Sequence, residues 1–177
     1  MKKTLLFILF TLILSAPLYA QSKSSQHLKF MGIPIDGSIT NFQNKLIAKG
    51  FKYDKVGSQN LEGPVRIFNG QFAGETSWIY VYYDKEQKFV YRVKVVIECA
   101  TEDRAYSKMC KFRNQLIEKY STSAEDLQYE GNESYSIPLT DGWVDLFYSQ
   151  VPFSTNYNLY LNYWDAVNTQ KNLLRFL

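Results

Sequence analysis

The sequence predicts an α+β domain in which an antiparallel sheet carries helices packed on one face, built by tandem duplication of a helix-plus-strands unit. Three observations predict it. Two segments, 38–49 and 102–120, repeat apolar residues at helical spacing. Most of the remaining chain consists of short runs rich in β-branched and aromatic residues, separated by polar turns. The third is an internal repeat: Phe42-Gln43-Asn44-Lys45-Leu46-Ile47-Ala48-Lys49 aligns with Phe112-Arg113-Asn114-Gln115-Leu116-Ile117-Glu118-Lys119. Downstream, the run Trp78–Tyr83 aligns with Trp143–Tyr148. Tyr91, Val93, Val95 and Ile97 then align with Tyr157, Leu159, Leu161 and Tyr163. All three blocks keep their order and recur about 65–70 residues later, a period that marks duplication.

The elements follow in order. Lys2 and Lys3, the apolar run from Leu5 to Leu14 and the small residues ending at Ala20 predict a cleaved signal peptide over 1–20. The apolar run is short of the roughly 20 residues a membrane helix needs. No Cys near the cut offers a lipid-anchor site, so a periplasmic or secreted protein is expected, without stable membrane insertion after cleavage. A polar lead-in over 21–27 is expected to be flexible and carries the sole His, His27. Residues 28–177 then form a single domain with halves at about 28–98 and 99–177.

His27–Ile35 reads as extended. Ser38–Lys49 reads as a helix, with Ile39, Phe42, Leu46 and Ile47 on one stripe, Ser38 as cap and Gly50 as stop. Phe51–Val56 reads as a short strand, followed by a Gly/Ser/Asn-rich loop to Pro64. Val65–Ala73 reads as a strand weakened or bulged at Gly70. Trp78–Tyr83 and Lys88–Glu98 form a hairpin about the polar turn Asp84–Gln87. The helix over 102–120 begins at the cap Thr101, with Glu102 and Asp103 at its positive end. Ala105, Met109, Phe112 and Leu116 form its stripe. Extended segments follow near Leu127–Leu139, Trp143–Ser149 and Tyr157–Trp164, and a short helix is expected over Asn168–Leu177.

Several residues also carry a resemblance. Phe30-Met31-Gly32-Ile33-Pro34-Ile35-Asp36-Gly37, the Phe42 and Leu46 pair, Lys49-Gly50-Phe51, Gly70-Gln71-Phe72-Ala73-Gly74, Glu118-Lys119-Tyr120 and Leu161-Asn162-Tyr163-Trp164-Asp165 together resemble an uncharacterised family of secreted Bacteroides-type proteins. The match spans most of the chain after the signal, although family members often carry extra cysteines that are missing here. The duplicated plan is also similar to the β-lactamase inhibitor protein and outer-membrane assembly lipoprotein type of fold. Neither resemblance implies an activity or a catalytic residue, and a shared fold does not carry function.

Charge and motifs narrow the function classes. Loss of Lys2 and Lys3 with the signal removes most of the precursor's +3. No Lys/Arg run is left to neutralise a row of phosphates, so nucleic acid is not an expected partner. In an oxidising compartment Cys99 and Cys110 read as a local disulfide, the alternative being two free buried thiols. One His and two Cys give no metal-ligand spacing. No Gly-rich phosphate loop opens a helix, and no cofactor is implied. Asp141 with Asp145 would be a pairing of glycosidase type, but Asp141-Gly142 reads better as a turn. A non-catalytic protein is therefore expected.

Strand alternation supplies the candidate site. Ile79, Val81 and Tyr83, with Tyr91, Val93, Val95 and Ile97, should meet the helices, as should Val144, Leu146 and Tyr148 with Leu159, Leu161 and Tyr163. The other face then carries Trp78, Tyr80, Tyr82, Arg92, Lys94, Trp143, Asp145, Phe147, Tyr160 and Trp164. Exposed aromatic faces mark interaction sites, and Trp, Tyr and Arg dominate hot spots. Cross-strand aromatic pairs also stabilise sheets without binding anything. The expected partner is a protein, bound in an inhibitor-like or envelope accessory role. A glycan stacked on Trp78, Trp143 or Trp164 is the alternative, and a hydrolase the less favoured one.

Overall fold

A computed structural model describes residues 26–120, 128–129 and 134–176. The expected signal peptide and nearly all of the expected lead-in lie outside the described residues. A two-stranded hairpin, β1 (Lys29–Phe30) and β2 (Ile33–Pro34), opens the fold. The first helix, α1, spans Ile39–Ala48. Ser38 accepts from the Asn41 N–H, as a cap should, and Gly50 stops the helix with φ 91°. Strand β3 (Lys52–Asp54) leads into a short helix α2 (Lys55–Gln59), where the Gly/Ser/Asn composition had suggested loop. Asp54 makes the helix: its carboxylate accepts from Gly57 N at 2.8 Å and its carbonyl from Ser58 Oγ at 2.6 Å.

Strands β4 (Val65–Phe72), β5 (Glu75–Tyr83) and β6 (Val90–Cys99) follow as an antiparallel meander. Ala73 and Gly74, both at positive φ, make the tight turn between β4 and β5. Helix α3 spans Glu102–Tyr120, with Thr101 Oγ1 accepting from Arg104 N. A second meander comprises β7 (Gln128–Tyr129), β8 (Tyr135–Leu139), β9 (Gly142–Gln150) and β10 (Tyr157–Asp165). Helix α4 (Ala166–Leu173) and a 3-10 turn (Leu174–Phe176) close the described chain.

Each half is thus a helix followed by four antiparallel strands. All eight strands form one sheet in the order β3-β4-β5-β6-β10-β9-β8-β7, and the last strands of the two halves, β6 and β10, pair at its centre. Ile39, Phe42 and Leu46 of α1 share a core with Ala105, Met109, Phe112 and Leu116 of α3, both against one sheet face. That face supplies Ile79, Val81, Val93, Val95, Ile97, Val144, Leu146, Leu159, Leu161 and Tyr163, all buried. Burying each of the aliphatic side chains among them contributes about 1.5–3 kcal/mol, so the inner face anchors the fold.

Two expectations are corrected. A register shift between Tyr82 and Tyr83 puts Val90 into the core and leaves Tyr91 half-buried, so Tyr91 is the extra residue of a bulge rather than a core position. The expected disulfide is absent: Cys99 and Cys110 are both free thiols. Cys99 ends β6, whereas Cys110 rides up α3. The helical rise of 1.5 Å per residue carries it roughly 12 Å from the helix start, beyond the reach of a bridge.

Among the described residues no helix is long and apolar enough to cross a membrane.

Candidate functional site: the aromatic sheet face

Side chains on a strand alternate, so burying the odd or even set beneath the helices turns its neighbours to the other face. All ten candidate residues lie there, each half-buried. The strand registers arrange them in three rows across the sheet. The first runs Pro138, Trp143, Trp164, Arg92, Tyr82, Val65. The second runs Ser136, Asp145, Asn162, Lys94, Tyr80, Ile67, Asp54. The third runs Phe147, Tyr160, Val96, Trp78, Asn69, Lys52.

Neighbouring strands lie about 4.8 Å apart, a distance at which rings on adjacent strands stack. Trp143 and Trp164 do so at 5.6 Å between centroids and 13° between planes, and Phe147 and Tyr160 at 4.9 Å and 23°. The cations take the gaps. The Arg92 guanidinium carbon lies 3.6 Å from the Tyr82 centroid and 4.4 Å from that of Trp164, held between the two rings. Lys94 Nζ lies 4.8 Å from the Tyr80 centroid and 5.7 Å from that of Tyr160. Among the described residues neither cation forms a salt bridge with a carboxylate.

Asp145 has a different task. It accepts from Trp164 Nε1 at 2.7 Å and from Ser136 Oγ at 3.0 Å, which fixes the indole in the stack. Asn158 Nδ2 donates to the Tyr160 hydroxyl at 3.2 Å. Burial pushes the Tyr80 phenol up, with Tyr82, Tyr160, Glu98 and Asp54 adding to the shift. Tyr80 therefore stays protonated near neutral pH and presents a hydrogen-bond donor.

Alternation alone did not single out two further members of this face, Val96 and Asn162. Both are buried by their larger neighbours, and the Asn162 side-chain oxygen has no hydrogen-bond partner, nor has Arg92 Nε. The signal was present in their strand positions but hidden by small size. Phe153, wholly exposed at the tip of the β9–β10 connection, was missed because nothing in its sequence context marks it.

A cleft of about 600 Å³ continues the third row past Trp78, lined by Lys49, Lys52, Asn69, Gln71 and Thr76. Of the two carboxylates of the hydrolase alternative, Asp141 lies in the turn before β9, and Asp145 within β9 is engaged by Trp164 and Ser136. Among the described residues no group of three or more His, Cys, Asp or Glu is placed to hold a metal ion.

His27, the last residue of the lead-in expected to be flexible, is instead tied into the fold. Its Nδ1 lies 3.0 and 3.1 Å from the two oxygens of Asp165, a fully buried carboxylate that also accepts from Leu28 N and Asn168 N. Asp165 ends β10 and caps α4, so this cluster is a structural corner.

The fold and the face together define a class: a two-half α+β sheet protein presenting an aromatic, cation-bearing surface. Compared with protein-family models, curated proteins and solved structures, the chain matches none.

Proposed function

We propose that this protein is an exported, non-catalytic binding module that recognises a protein partner through the outer sheet face. The observation that carries the reading is the arrangement at the centre of the sheet. Arg92 and Lys94 are held among Tyr80, Tyr82, Tyr160 and Trp164 without a carboxylate partner among the described residues. Rings that need only stabilise a sheet do not require two cations between them. Aromatic and Arg side chains preordered by stacking lose little conformational freedom on association, and such groups dominate binding energy. An inhibitor-like or envelope accessory role suits the export that residues 1–20 lead one to expect.

The test is capture from cell-envelope extract, identification of the retained protein, and calorimetric titration of that purified protein. Trp78→Ala and Trp143→Ala should each weaken binding roughly tenfold or more while the far-ultraviolet spectrum is unchanged. Equal affinity of both variants and the parent would place recognition elsewhere. Quenching of tryptophan fluorescence by glycans, with no protein retained, would support the saccharide alternative instead.

A further inference from the structure

Resting on that reading, we propose that the occupant of the outer face is an extended acidic protein segment whose Asp or Glu side chains, two residues apart, meet Arg92 and Lys94. Both cations belong to β6, the fourth of eight strands, so they stand at the middle of the face rather than at its rim. They are alternate residues of one strand, about 6.6 Å apart along it. Alternate side chains of an extended peptide have the same repeat, so a segment laid along β6 brings two carboxylates over the two cations in register.

The carboxylates of the same row are already engaged. Asp145 stands two strands from Lys94, about 10 Å away, and its oxygens receive Trp164 and Ser136. Asp54 stands three strands away on the other side and caps α2 through Gly57. Glu98, the other carboxylate on this face of β6, lies four residues from Lys94, about 13 Å along the strand. Arg92 and Lys94 therefore have no carboxylate in ion-pair reach among the described residues. An extended segment with acids at alternate positions answers this unmatched charge. Two cations among rings do not suit a nucleic acid, whose binding needs a row of phosphate contacts.

The experiment titrates the protein with a short dye-labelled peptide alternating Asp with Val and Thr. Its Asn-for-Asp and Lys-for-Asp counterparts and phosphatidylglycerol vesicles serve as the comparison probes. The acidic peptide should bind and the other two peptides should not. Lys94→Gln should weaken it roughly tenfold, whereas Lys111→Gln, on the exposed face of α3, should change nothing. Raising salt from about 50 to 300 mM should weaken it further, as for any exposed ionic contact.

Equal binding of the Asn peptide, indifference to Lys94→Gln, or no binding of the acidic peptide overturns the inference. So does preference for vesicles over the peptide. Binding of the Asn peptide that is lost in Trp78→Ala would sink the acidic assignment alone and leave the recognition face standing. A captured partner unaffected by any substitution on the face would remove both.

Discussion

Val95 and Leu161 are equivalent positions of the internal repeat, and in the sheet they are direct partners across the β6–β10 pairing. Their flanking pairs exchange places: Val93 faces Tyr163 and Ile97 faces Leu159, while the repeat aligns Val93 with Leu159 and Ile97 with Tyr163. An approximate two-fold axis therefore passes between Val95 and Leu161, both fully buried. The two halves are fused edge to edge by their last strands, which converts two meanders into one wide sheet and hides an edge of each. An unpaired edge is a site for aggregation, so this pairing protects as well as joins.

Because the halves share this seam and one core, the protein should unfold as a unit. Leu161→Ala should destabilise it by about 2–5 kcal/mol, with urea transitions followed by tyrosine–tryptophan fluorescence and by circular dichroism still coincident. Two separated transitions would show that the seam does not couple the halves.

Asp165 is the second stability centre. Two backbone N–H groups and His27 converge on one buried carboxylate. Asn168 extends the corner by donating to the carbonyls of Ile35 and Val90. Asp165→Ala leaves those N–H groups buried without acceptors and should cost about 2–4 kcal/mol in a denaturant titration. A loss below about 0.5 kcal/mol would mean that water replaces the carboxylate at little cost.

Acid should weaken the closure of the chain's end. Burial works to raise the Asp84 carboxyl. The N–H bond from Gln87, the Arg175 guanidinium and the N–H bond from Glu86 outweigh it and hold the group below its ordinary range. A carboxyl depressed in the folded state contributes stability above its unfolded value, near 3.9, and loses it as pH falls through the folded value. Thermal melts should therefore show a fall below about pH 4 that is shallower in Asp84→Asn. Parallel acid profiles for the two proteins would contradict this.

The two thiols should differ in reactivity. Cys99 is buried, and burial pushes its thiol up, while Cys110 is partly exposed on α3. Alkylation of the native protein without reductant should label Cys110 first and Cys99 only on unfolding, as peptide mass mapping would report. Equal rates at the two residues, or no labelling at either, would contradict the structure.

Much of the site was legible in the sequence because a strand's faces are set by a period of two. Once Ile79, Val81, Val93 and Val95 were assigned inward, Trp78, Tyr80, Tyr82, Arg92 and Lys94 had to point outward, and they do. Tyr91 broke the pattern because a bulge inserts one residue and shifts the phase, and alternation contains no sign of it. His27 read as part of a polar tail because its partner, Asp165, lies at the far end of the chain. Asn162 was overlooked because its importance comes from its position between Asp145 and Lys94, which belong to other strands.

The amino-acid order by itself determined both long helices, the major strands, the inner and outer faces and the duplicated plan. Each of these follows from patterns within a dozen residues or from one stretch copying another. Tertiary structure alone decided that β6 meets β10, that Arg92 sits between Tyr82 and Trp164, that Asp145 holds an indole, and that Cys99 stays apart from Cys110. Those outcomes depend on which distant edges and side chains find each other when the core closes. Local periodicity sets which way a side chain points, whereas its neighbour is chosen by the packing of the whole sheet.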